Sequence, residues 1–249
     1  MNEEEVFSLL ENDSKKVANW DTILIYFAKR YNDNDINGLY TLVTMAKRKA
    51  EQEKQFNVLD FIYFDFFLAS ILEKELVGWR AKQHLKAANE KLESIDFGVI
   101  SDQEKTDIAK FYFDLGIHYE KINLAKLSLE AYQNSANIFF ELGFIQDAQY
   151  AESKVIEMNN LLPTNEKISI NIEDFIKKYG EDSYLIKLTK LKKAKDKDPI
   201  EQTKEYLSII DSVEEEIVRR GLFSSDLTKY NNLKKELLKA HGITWNPGK

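Results

Sequence analysis

The chain has 249 residues, 43% hydrophobic and 31% charged, which is enough apolar material for a packed core and too much for a disordered segment. Its net charge is −7, and the absence of cysteine excludes disulfides, thiolate metal sites and cysteine nucleophiles. Nine glycines and three prolines are few chain breakers for this length, so long helices with short turns are predicted and a turn-rich β fold is excluded.

The opening MNEEEVFSLLENDSKK lacks the basic start and unbroken apolar run of a secretory leader, and no stretch approaches about 18 uncharged apolar residues. A cytoplasmic protein without a membrane partner is expected. A first short helix carries Val6, Leu9 and Leu10 and ends near Asn12 to Ser14. The second, from about Lys16 to Tyr31, places Trp20, Ile23, Leu24, Phe27 and Ala28 at three- and four-residue spacings. After the loop NDNDING, a third runs from about Ile36 to Gln55 with Leu39, Leu42, Val43, Ala46 and Ala50 on one stripe.

The fourth segment, Phe56 to Glu75, is apolar almost all round and is expected to be the central helix, because a helix without a polar face must be enclosed. A fifth, Trp79 to Ile95, lines up Ala81, Leu85, Ala88 and Leu92, small enough to admit a close neighbour. Beyond the loop SIDFGVISDQEK, in which Asp102 begins an acidic first turn suited to a helix N-terminus, three helices are predicted over Thr106 to Ile122, Leu124 to Leu142 and Phe144 to Asn160, with connections so short that neighbours must be antiparallel.

Within this stretch the sequence echoes itself. Phe64 opens a Phe-Asp segment whose helix ends in Glu-Lys and is followed by spaced alanines, and Phe113 opens another, 47 to 49 residues later with small gaps. Leu115, Gly116 and Tyr119 stand in the order Leu-Gly-x-x-Tyr, and Ala131, Tyr132, Ala136 and Phe139 follow on the next helix. Leu142-Gly143, then Ala148 and Ala151, begin a further unit. From about Asn57 to Pro163 the chain thus resembles the tetratricopeptide-like helical repeats, without their Trp in register and with a longer period. The resemblance implies an all-α fold of antiparallel helical hairpins stacked as a right-handed array, with a groove that takes a peptide or a partner helix.

Pro163 and the broken spacing of LLPTNEKISIN mark a boundary near 161 to 170, dividing a repeat domain, 1–160, from a C-terminal helical region, 161–249. There a short helix, Ile172 to Tyr179, is capped by Asn171 and stopped by Gly180. Another helix begins at Asp182 and Ser183. A final hairpin pairs a helix from Asp198-Pro199 to Gly221 with one from Asp226.

The charge is uneven. Residues 161–249 hold 17 Lys+Arg and 15 Asp+Glu, which leaves −9 on residues 1–160. An acidic body disfavours phosphate backbones and favours basic peptides or proteins. Of the 35 basic residues only five are Arg, a bias that AT-rich coding produces and that points to a bacterial or phage source.

None of the three histidines, His84, His118 and His241, has a metal-site spacing, and no phosphate loop, nucleophile elbow or kinase signature occurs. No cofactor or metal is expected, and the chain is read as a non-enzyme. His118, between Asp114 and Glu120, is a packing residue or, less simply, a ligand or acid–base group. Asp60 and Asp65 interrupt the apolar fourth helix; they mark its narrow strip facing solvent or a groove, where Asp114 would extend an acidic contact for a basic partner. Arg80 could instead neutralise one of them internally. The aromatic cluster Phe61, Tyr63, Phe64, Phe66 and Phe67 reads as packing between hairpins, with Tyr63 a candidate contact.

The run Lys187, Lys190, Lys192, Lys193, Lys195 and Lys197 is a solvated helix face or an anionic contact. The leading expectation is a scaffold, adaptor or regulatory protein that binds a peptide or partner helix, and the sequence also permits a homo-oligomer. One alternative is a nucleic-acid-associated accessory protein of phage or defence type that uses those lysines. The other is a helical-bundle enzyme whose site carries no motif.

Overall fold

A computed structural model describes residues 2–12, 16–54 and 56–180, together with positions 201, 204, 208 and 239. Among the described residues every regular element is an α-helix: α1 (Glu3–Glu11), α2 (Trp20–Asn32), α3 (Leu39–Glu53), α4 (Val58–Lys74), α5 (Gly78–Glu93), α6 (Asp102–Lys121), α7 (Ala125–Glu141), α8 (Ile145–Leu161) and α9 (Ile172–Tyr179). No helix among them is long and apolar enough to cross a membrane. The chain divides into two compact units, Met1–Ile168 and Ser169–Lys249. In the second unit α9 is the one described element; Asn171 caps it through the Glu173 N–H, and Gly180 follows its end at φ 81°. The C-terminal hairpin expected from the sequence lies outside the described residues.

In the first unit the helix starts follow their caps. Asn2 with Glu5, Asn57 with Asp60 and Ser101 with Glu104 each form a reciprocal pair, the cap side chain accepting from the third helical N–H and the carboxylate from the cap N–H. Two starts differ from expectation. Helix α2 begins at Trp20 rather than near Lys16, because Asn19 caps it and Glu53 of α3 accepts from the Val17 N–H (2.8 Å) and the Trp20 indole N–H (3.1 Å). Helix α6 begins at Asp102, one turn before the expected Thr106, because Ser101 supplies the cap.

The helix ends repeat one device. At Leu76, Asn123 and Gly143 the chain turns through the left-handed region, with φ of 59°, 60° and 78°. Each of these N–H groups bonds the carbonyl three residues back, and the next N–H bonds the carbonyl five back: Val77 to Leu72 (2.8 Å), Leu124 to Tyr119 (2.9 Å) and Phe144 to Phe139 (2.9 Å). The next helix starts two residues after each left-handed residue. Asn34 closes α2 with the same pair of bonds. Turns this short fold α4 onto α5, α6 onto α7, and α7 onto α8 as antiparallel neighbours.

Helix α4 is central, as its composition requires, burying Ile62, Phe64, Phe66, Leu68, Ala69, Ile71 and Leu72. Ala81, Leu85, Ala88 and Leu92 of α5 are all fully buried. The closest approach is at Gly116 of α6, where a Cβ would lie 2.5 Å from the Tyr132 ring of α7 and where the Ser128 hydroxyl donates to the Gly116 carbonyl (2.8 Å). The Asn159 side chain of α8 clasps the Ile168 backbone, donating to its carbonyl (3.0 Å) and accepting from its N–H (2.9 Å).

Candidate functional site

The acidic residues read from the sequence separate in space. Asp65 is fully buried, and three side chains from two helices meet it: Lys47 of α3 at 2.6 Å, with His84 (3.2 Å) and Lys91 (2.9 Å) of α5. It does not lie on a strip facing solvent or a groove; the reason is that its cationic partners come from α3 and α5, on the side of α4 that packs inward. These contacts outweigh the burial that opposes its charge and hold its pKa at about 2. The Tyr40 hydroxyl extends the network to the other ring nitrogen of His84 (2.9 Å). Arg80 neutralises none of these carboxylates and lies over the Tyr40 ring at 4.6 Å.

Asp60 is half-buried, and its carboxylate accepts from the Asn57 N–H at the start of α4. One turn on, Tyr63 is 61% exposed, with its ring meeting Phe111 of α6 edge-on at 4.6 Å. Asp107 and Asp114 stand four residues before and three after Phe111, so both share its face of α6. Partial burial, then the charges of Asp107, Asp114 and Asp60, raise the Tyr63 phenol above its usual pKa. Burial likewise raises Asp114, against the opposing pull of His118, Lys121 and Lys110.

His118 is buried, its Nδ1 donating to the Glu73 carboxylate at 2.6 Å and its ring packing on Phe66 at 5.3 Å. Lys121 approaches the same Glu73 at 3.6 Å. His118 thus ties α6 to α4.

Most of the aromatic cluster packs as expected. Phe64 and Phe66 are buried, and Phe67 meets Tyr31 at 5.4 Å. The cluster also lines a cleft. Helix α3 packs against both α2 and α4, and α2 meets α4 directly where Tyr31 contacts Phe67 and Lys74. Between them lies a cavity of about 250 Å³ lined by Leu24, Phe27 and Ala28 of α2, by Phe56, and by Asp60, Tyr63, Phe64 and Phe67 of α4. Its wall is apolar except for one carboxylate and one phenol. Small-molecule sites run to roughly 300–1,000 Å³, so this cleft suits one or two side chains presented by another backbone.

The chain matches no family model, no curated protein and no solved structure.

A second depression, about 490 Å³ and more polar, lies where α4 and α6 end, and includes Tyr31, Glu73, Lys74 and Lys121. Its charges are engaged internally, Lys121 with Glu73 and Lys74 with the Tyr31 carbonyl (2.7 Å) and ring (3.7 Å). Among the described residues no group of three His, Cys, Asp or Glu side chains could hold a metal ion. The lysines at 187, 190, 192, 193, 195 and 197 lie outside the described residues.

Sequence reasoning brought Asp60, Tyr63 and Asp114 to one surface and missed the cleft beside it. Leu24, Phe27 and Ala28 were legible as an apolar stripe, but their stripe reads as core. The signal that singles them out is that Leu24 remains 38% exposed, and its neighbour Ile25 67%.

Proposed function

We propose that the first unit is a non-enzymatic protein-interaction module of the tetratricopeptide-like kind, taking a peptide or partner helix on the surface formed by α2, α4 and α6. The observation that carries this reading is the α2–α4 cleft, an apolar concavity with an exposed aromatic at its rim. An apolar hollow bordered by Tyr and carboxylate is the arrangement in which one anchor side chain supplies most of the binding energy. Three features support the repeat assignment: the recurring left-handed turns, the contact of Gly116 with Tyr132, and the burial of Ala131, Ala136 and Phe139.

Selection of a random peptide library on the full chain tests the function. Enriched sequences are expected to share an apolar anchor and to bind an Ala28→Phe variant, whose exposed ring fills the cleft, at least about tenfold more weakly. Equal binding to Ala28→Phe would remove the cleft from the reading.

A further inference from the structure

The wall that Tyr63 gives to the cleft has a second side. On α6 the residues Asp107, Phe111 and Asp114 follow one another at helical spacing, and the Phe111 ring fixes that row against Tyr63. Asp60 on α4 and Asp107 and Asp114 on α6 therefore lie near the exposed phenol, and they are not equivalent. Asp60 is held as a helix cap by the Asn57 N–H (2.9 Å), and Asp107 faces Lys110 at 3.3 Å. Asp114 is half-buried and, among the described residues, makes no hydrogen bond or ion pair. The nearest basic side chains act on Asp114 only at a distance and make their contacts elsewhere, Lys110 with Asp107 and both Lys121 and His118 with Glu73.

A half-buried carboxylate without a partner lowers the stability of the isolated protein. An arriving cation offsets that cost at the moment of binding, and the exposed Tyr63 face adds a cation–π contact. An acidic partner would meet like charge here, and residues 1–160 as a whole carry −9.

We infer that the occupant of the α2–α4 cleft is an amphipathic partner segment with a Lys or Arg beside its apolar anchor, the cation resting between Tyr63 and Asp114. This rests on the cleft being the partner site. The probes are three synthetic amphipathic peptides of about 16 residues with one shared apolar stripe. Their flanking positions are all Lys, all Gln or all Glu, and affinities for the full chain are read by fluorescence anisotropy.

The Lys peptide is expected to bind about tenfold tighter than the Gln peptide, the Glu peptide weaker than both, and the Lys peptide to lose its affinity for Ala28→Phe. In Asp114→Asn the preference for Lys over Gln falls to within about twofold while the melting temperature of the free protein rises, a combination that a purely structural role for Asp114 does not produce. Equal binding of the Lys and Gln peptides, a preference retained in Asp114→Asn, or a Lys peptide indifferent to Ala28→Phe each overturns the inference. Failure of all three peptides to bind overturns the cleft reading together with it.

Discussion

Replacing Asp65 by Asn removes the one negative charge on which Lys47, His84 and Lys91 converge, and leaves three donors around a neutral amide. Breaking a buried ionic cluster in this way costs about 3 kcal/mol, which a shift in the urea midpoint would measure. Because the folded-state pKa of Asp65 is about 2, below the unfolded 3.8, its stabilisation is complete above about pH 4 and is lost as pH falls toward 2. Asp114 has the opposite sign. Its raised pKa means that the folded state favours the protonated form, so its contribution is present in acid and disappears as pH rises. Asp114→Asn should therefore raise the melting temperature at pH 7 and leave it unchanged near pH 3; a loss at pH 7 would show that the carboxylate has a stabilising partner. At Gly116 the Tyr132 ring leaves no room for a Cβ. Gly116→Ala should cost about 2 kcal/mol by denaturant titration, although Ala is the better helix former by about 1 kcal/mol. The Leu-Gly-x-x-Tyr spacing made Gly116 legible. It could not do the same for Asp65, because a polar residue in an apolar helix looks alike whether it meets water or cations from helices 18 to 26 residues away.

At the scale of the helix, the turns show where local strain resides. Leu76 adopts φ 59° in a position that Gly143 fills without penalty, and it is 91% exposed, so no packing offsets the cost. Leu76→Gly should stabilise the protein by about 1 kcal/mol in thermal unfolding, and destabilisation would show that the side chain has a contact in solution. The order and number of helices in the first unit were readable because every apolar stripe keeps a 3.6-residue period and every break coincides with a cap or a left-handed residue. The starts were less readable. The acidic first turn beginning at Asp102 is legible and opens α6, although apolar spacing becomes regular only from Thr106, and the start of α2 depends on Glu53, which is 33 residues from Trp20.

Across the whole first unit, the cleft is a consequence of spacing between helices rather than of any helix alone. Periodicity assigns Leu24, Phe27 and Ala28 of α2, and Phe64 and Phe67 of α4, to inward faces; it does not say that a cavity lies between them. The proposed binding surface was therefore half legible, as Asp60, Asp114 and Tyr63, while its apolar floor required the packing of the helices. The central claim is that this floor receives a partner's side chain. Titration of a library-selected peptide into protein with isotopically labelled Phe, Leu and Val tests it most directly. The account predicts that the resonances of Leu24, Phe27, Phe64 and Phe67 shift together, while that of Val155 on α8 stays fixed. Shifts confined to α7 and α8, with the four cleft residues unmoved, would contradict it.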